Sequence, residues 1–137
     1  MDMALSRKIP KQKVKPLILV VEDEISVAAA LRENLVERGY NVEVAKDGIE
    51  AIEKARSLKP AAIILDLGLP KQNGLQVIER LKSTKADFSI PVIVLSQVES
   101  TVVLQKCEEL GMSCYFVKTH TSIQKVIDTV LKTVPLR

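Results

Sequence analysis

Six residues could share chemistry if the fold brought them together: Glu22, Asp23, Glu24, Asp66, Ser96 and Lys118. They fall directly after four short aliphatic or β-branched runs, where strands are expected to end. Carboxylates converging from two strand ends repel one another away from bulk water unless a cation lies between them. An oxygen-only set, few in number and partly open to solvent, suits Mg2+ or Mn2+. An ion held that way leaves coordination positions for phosphate oxygens, and an ammonium and a hydroxyl would complete a clamp. The pattern points to phosphoryl transfer onto Asp66, which would attack phosphorus with a carboxylate oxygen and form an acyl phosphate. Lys118 would neutralise charge on the equatorial oxygens and Ser96 would donate one hydrogen bond. Each residue also has an ordinary reading. Asp and Ser cap helices, a lone Lys is usually solvated, and Glu24 reads as a favourable charge in a first helical turn. The conjunction at four strand ends favours the chemical reading.

The elements that must position these groups are legible as an alternation of apolar runs with helical periodicity, the signature of βαβ units. Strands are expected at 17–21, 41–45, 61–65, 91–95 and 114–117. The first, third and fourth are nearly continuous apolar runs, which places them at the sheet centre with both faces covered. Helical spacing recurs in Val27, Leu31 and Leu35, in Ala51, Ile52, Ala55 and Leu58, and in Leu75, Ile78 and Leu81. Val103, Cys107 and Leu110 mark a fourth helix, and Ile123, Ile127, Val130 and Val134 a fifth. Gly39 and Gly111 each follow a helical stretch where a left-handed residue is wanted, and Pro60 follows the second helix. Five βα units with right-handed crossovers predict an α/β fold, a (βα)5 doubly wound parallel five-stranded sheet, for which the flavodoxin-like order 2-1-3-4-5, taken here, is one of two common choices. Ligands in such sheets bind beyond the carboxyl ends of strands one and three, where Glu22, Asp23 and Asp66 fall.

Composition is consistent with one domain of 137 residues whose core is aliphatic, since 47% of the residues are hydrophobic but only 3% aromatic. The net charge of +3 could suggest a nucleic-acid binder. The excess is local, however: Arg7, Lys8, Lys11, Lys13 and Lys15 face only Asp2 within residues 1–16, and the remainder is nearly neutral. Residues 1–15 therefore read as a basic, flexible N-terminal tail and 16–137 as the folded domain. A solubilising leader is the plainest role for that tail, and weak contact with an anionic partner the other. Direct nucleic-acid binding is not expected. No stretch is apolar enough to span a membrane and the N-terminus lacks a secretion signal, so a cytoplasmic location is expected. Cys107 and Cys114 match no metal spacing and read as reduced, structural cysteines.

The motifs resemble the receiver domains of bacterial and archaeal response regulators, the phosphoacceptors of two-component signalling, over about residues 15–131. Leu17-Ile18-Leu19-Val20-Val21-Glu22-Asp23-Glu24 is similar to the family's hydrophobic strand ending in an acidic pair. Ile64-Leu65-Asp66-Leu67-Gly68-Leu69-Pro70, followed by Gly74, is similar to its phosphoacceptor motif, with the proline and glycine shaping the loop into the third helix. The resemblance implies that Asp66 is phosphorylated, that Asp23, Asp66 and the backbone carbonyl of Gly68 ligate Mg2+, and that Glu22 acts through water. Ser96 matches the switch hydroxyl, Tyr115 the aromatic switch position and Lys118 the family lysine. The implied partners are a histidine kinase or histidine phosphotransfer protein upstream and a protein target downstream. The target would be reached through helix four, strand five and helix five, by a monomer or a phosphorylation-linked dimer. Catalysis would be limited to the chain's own phosphorylation and autodephosphorylation.

Three positions depart from the family pattern. Thr119 follows Lys118 where the family has a proline joined through a cis peptide, so the loop is expected either to store strain or to run trans and place the ammonium differently. Gln97 follows Ser96 where a very small residue is usual, and is expected to crowd the phosphoryl site. His120, the chain's one histidine, lies near the site in sequence and reads as a surface imidazole with a modulatory role as the alternative. After the fifth helix too few residues remain for a DNA-binding or catalytic module, which favours a stand-alone receiver or an excised domain. Two other readings compete. A receiver-fold adaptor independent of phosphorylation is motivated by Thr119 and Gln97. A haloacid-dehalogenase-type phosphatase would require a second acid two residues after the nucleophile, where this chain has Gly68.

Overall fold

The computed structural model describes residues 14–69, 73–83, 88–97 and 99–136. Nearly all of the basic tail, together with Pro70 of the phosphoacceptor-like motif, lies outside the described residues. Five strands, β1 (Leu17–Val21), β2 (Asn41–Ala45), β3 (Ala62–Asp66), β4 (Val92–Ser96) and β5 (Cys114–Val117), form one parallel sheet in the order β2-β1-β3-β4-β5. Between and after them run α1 (Ile25–Arg38), α2 (Gly48–Leu58), α3 (Gly74–Ser83), α4 (Thr101–Glu109) and α5 (Ile123–Thr133). A 3-10 turn, Lys118–His120, follows β5. This is the doubly wound order expected from the sequence.

Burial follows the apolar pattern. Every residue of β3 and β4 is buried, and so is β1 after its first residue, whereas β2 and β5 at the edges are only partly covered. Side chains alternate between the two faces of the sheet. Leu19, Val21, Ile63, Leu65 and Val94 pack toward α2, α3 and α4, meeting Ile52, Ala55, Ile78 and Cys107. Ile18, Val20, Ile64, Ile93 and Leu95 pack toward α1 and α5, meeting Leu31, Leu35, Ile127 and Val130. No helix among the described residues is long and apolar enough to cross a membrane.

The termini of the helices explain how the chain enters and leaves the sheet. Asp47, Ser100 and Ser122 cap α2, α4 and α5, their side-chain oxygens accepting from the amides of Glu50, Val103 and Lys125 at 2.9, 3.3 and 3.1 Å. Gly39 stops α1 with φ of 111°, its amide and that of Tyr40 returning to the carbonyls of Val36 and Leu35. The tip of α2 departs from that arrangement. Lys59, not a glycine, takes the left-handed conformation there (φ 49°), directly before the buried Pro60.

Strands β3 and β4 each sit one residue later than the apolar runs suggest. Asp66 pairs with Leu95 in the ladder, and the Leu67 amide still donates to the Leu95 carbonyl at 3.0 Å. Asp66 and Ser96 are therefore the last residues of their strands, held by the sheet rather than by a loop. Gly74 fixes the path beyond Asp66. Its amide donates to the Leu67 carbonyl at 2.9 Å, and a Cβ at this position would lie 2.6 Å from Leu67 Cα.

Candidate phosphoryl and metal site

The carboxyl ends of β1, β3, β4 and β5 bring the acidic run, Asp66, Ser96 and Lys118 to one edge of the sheet. Glu22 continues β1 by one rung, its amide donating to the Ala45 carbonyl at 2.9 Å, and is 1% exposed. One of its carboxylate oxygens, Oε2, accepts from the Glu24 amide at 3.2 Å. The other, Oε1, accepts no aligned hydrogen bond, although the Lys118 ammonium lies 2.7 Å away as an ion pair. Burial pushes the Glu22 carboxyl up to about 7, Asp66 adding to the rise and the Lys118 ammonium opposing it.

Asp66 is buried, with its two oxygens differently engaged. Oδ1 accepts from the Gly68 amide at 3.0 Å and Oδ2 faces Lys118 Nζ at 3.2 Å. The same ammonium is 3.4 Å from Glu24 Oε1, so three carboxylates share one cation. Burial alone would lower the Lys118 pKa, but Glu22 and Asp66 outweigh it and hold it above the usual lysine value. Among the described residues every peptide is trans, so Lys118-Thr119 takes the trans alternative, and the ammonium nonetheless reaches Asp66.

Glu22, Asp23 and Asp66 each offer a carboxylate oxygen within 4.8 Å of the others. Like charges this close, one of them on a buried oxygen without an aligned donor, fit a hard divalent cation, and the oxygen-only donor set fits Mg2+. The site opens into a cleft of about 370 Å³ with Asp23, Glu24, Asp66, Gly68, Ser96 and Gln97 on its polar side and Leu67, Leu75 and Val103 on its apolar side. Ser96 is buried beside Asp66 on the neighbouring strand. Tyr115 is half-buried against the α2–α4 side of the core. His120 is exposed on the 3-10 turn.

Glu24 and Gln97 take a larger part than sequence reasoning assigned them. Glu24 occupies the N-cap position of α1, but its side chain makes no capping hydrogen bond. Glu24 Oε1 instead accepts from Gln97 Nε2 at 3.1 Å, next to Lys118. A signal was available, because residues two apart in extended chain point the same way, and Glu24 stands two after Glu22.

Comparison with known proteins agrees with the fold. The response regulator receiver domain model matches residues 18–130. The alkaline phosphatase synthesis transcriptional regulatory protein PhoP of Bacillus subtilis is 42% identical over 101 residues, which cover 74% of this chain and 41% of that protein. Response regulator MprA of Mycobacterium ulcerans is 43% identical over 83 residues, covering 61% and 35% respectively. The chain thus spans less than half the length of these curated relatives. Among solved structures, the non-phosphorylated HemR receiver domain of Leptospira biflexa superposes with a TM-score of 0.80 at 28% identity, covering 90% of this chain and 97% of that one. Chemotaxis response regulator CheY4 of Vibrio cholerae gives 0.79 at 25% identity, covering 88% and 100%. With the family model spanning most of the chain and the strand-end acids, Ser96 and Lys118 gathered at one site, this chain belongs to the response regulator receiver domain family.

Proposed function

We propose that the chain is a phosphoacceptor switch of a two-component phosphorelay, with Asp66 as the residue phosphorylated. The observation that carries this reading is the buried Asp66 carboxylate, facing the Lys118 ammonium at 3.2 Å beside two further acids and an open cleft. An Asp66 oxygen would attack the phosphorus of a phosphohistidine on a histidine kinase or phosphotransfer protein. The new O–P bond forms as the P–N bond breaks, and the imidazole leaves with the electron pair and takes up a proton. Asp23, Asp66, the Gly68 carbonyl and, through water, Glu22 would hold Mg2+. When bound, that ion would supply positive charge to the phosphoryl oxygens. Lys118 would serve the same end, and Ser96, the last residue of β4, would donate to a phosphoryl oxygen.

Phosphorylation adds about −1.5 to −2 charge and new acceptor oxygens, favouring the arrangement of Ser96 and Lys118 that satisfies them. In this reading Tyr115 follows Ser96, and the α4–β5–α5 face changes what it offers to a protein target. The sparse burial of α4 supports it: only Cys107 of that helix is fully buried, while Val102 is 73% exposed. Incubation with acetyl phosphate or phosphoramidate and Mg2+, followed by intact mass measurement, tests the reading. One phosphoryl group should be gained, and Asp66→Asn should abolish the gain. No gain, or a gain that survives Asp66→Asn, would leave a receiver fold that works without phosphorylation.

A further inference from the structure

Lys118 is the cation that an incoming phosphoryl group needs, and it is already engaged. Two of its carboxylate neighbours, Glu22 and Asp66, are buried parts of the site itself. The third, Glu24, comes from outside, 46% exposed and 3.4 Å from the ammonium. Glu24 is held there by Gln97, whose Nε2 donates to the same Oε1 at 3.1 Å. Both residues line the cleft over Asp66. A carboxylate oxygen on this ammonium occupies a charge position that a phosphoryl oxygen would take, and its own charge repels an anionic donor.

We propose that Glu24 and Gln97 form a latch across the mouth of the cleft, with the Glu24 carboxylate holding the Lys118 ammonium until a phosphodonor displaces it. The pair then sets the rate at which Asp66 is phosphorylated. Glu24 and Gln97 are positioning residues in this scheme, acting through Lys118, and the proposal rests on Asp66 being the phosphoacceptor. The latch also gives Gln97 a purpose: a small residue at its position would leave the exposed Glu24 side chain free to swing into solvent.

The test is the rate of labelling of the full chain with Mg2+, read by intact mass, for wild type, Glu24→Gln, Gln97→Ala and the double variant. Glu24→Gln should label roughly two- to fivefold faster, the scale of one exposed ion pair. The gain should be larger with acetyl phosphate, a dianion near neutrality, than with the less charged phosphoramidate, and should shrink as salt is added. Gln97→Ala should give a smaller gain, and the double variant no more than Glu24→Gln alone, because both act in one device. The side-chain amide signals of Gln97 in a 15N-correlated spectrum should move in Glu24→Gln without any donor present. Unmoved amide signals, an unchanged or slower rate, or a gain equal for both donors and indifferent to salt would overturn the latch. Label that reaches Asp66 in wild type with no faster rate in Glu24→Gln removes the latch alone. Absence of label in every variant removes the phosphoacceptor reading with it.

Discussion

Replacing Glu22 by glutamine tests whether the acidic site is a strained arrangement awaiting a cation. In the metal-free protein burial holds the Glu22 carboxyl at about 7 against an ordinary value of 4.5. The folded state therefore binds this proton more tightly than the unfolded state across that window. Stability contributed by the protonated form is fully present below pH 4.5 and is lost as the pH rises through 7. At about 1.4 kcal/mol per pH unit, the loss amounts to roughly 3 kcal/mol at most, and about 2 kcal/mol between pH 5 and pH 8 once coupling to Lys118 and Asp66 is allowed for. Glutamine keeps the shape without the charge, and Lys118 retains Asp66 and Glu24. Urea unfolding in chelator at the two pH values is the assay. Wild type should be less stable relative to Glu22→Gln at pH 8 than at pH 5 by about that amount. Adding Mg2+ at pH 8 should restore wild type more than the variant, because the ion binds only the folded site. A wild-type-to-variant difference that is the same at both pH values would refute the reasoning, for it would mean that Glu22 titrates as an ordinary carboxylate.

Three further substitutions probe the supports of the site. Lys118→Ala leaves the buried Glu22 and Asp66 without their ammonium and should destabilise the chain by roughly 3 kcal/mol at pH 8, less at pH 5, in the same unfolding measurement. Gly74→Ala forces a methyl to 2.6 Å from Leu67 Cα and 3.0 Å from the Asp66 carbonyl. It should cost about 2–3 kcal/mol and slow Asp66 labelling, since the displaced loop carries Gly68. Tyr40→Phe removes the hydroxyl that donates to the Val134 carbonyl at 2.5 Å and ties the end of α5 to the turn between α1 and β2; thermal unfolding should show a loss of about 1 kcal/mol with labelling at Asp66 unchanged.

What could be read in advance divides along a physical line. The central place of β1, β3 and β4 follows from apolar runs too long to leave exposed, a property of the chain alone, whereas the strand order rested on the choice between two common doubly wound arrangements. The ends of β3 and β4 were harder to place, because pairing at Asp66 and Leu67 is decided by the partner strand and not by the polarity of the residue. The α4 periodicity in Val103, Cys107 and Leu110 is real but overstates the packing: Leu104 is 36% exposed as well as Val102, and the helix is held chiefly through Cys107. At the site, sequence position brings the right groups to one edge, since strand ends in a parallel sheet must converge there. It cannot say which carboxylate a long lysine will reach, because that depends on side-chain torsions set by three separate loops. Glu24 shows the difference. Its charge beside a helix start suggested a dipole contact, yet the extended backbone before α1 (φ −76°, ψ 112°) carries it to the same side as Glu22. Gln97, an outlier when considered alone, becomes intelligible only as the donor that keeps Glu24 there. Glu24 and Gln97 thus lie on the exposed rim of the cleft, where side-chain contacts between loops can change without disturbing the buried Asp66 and Glu22 that the sheet holds in place.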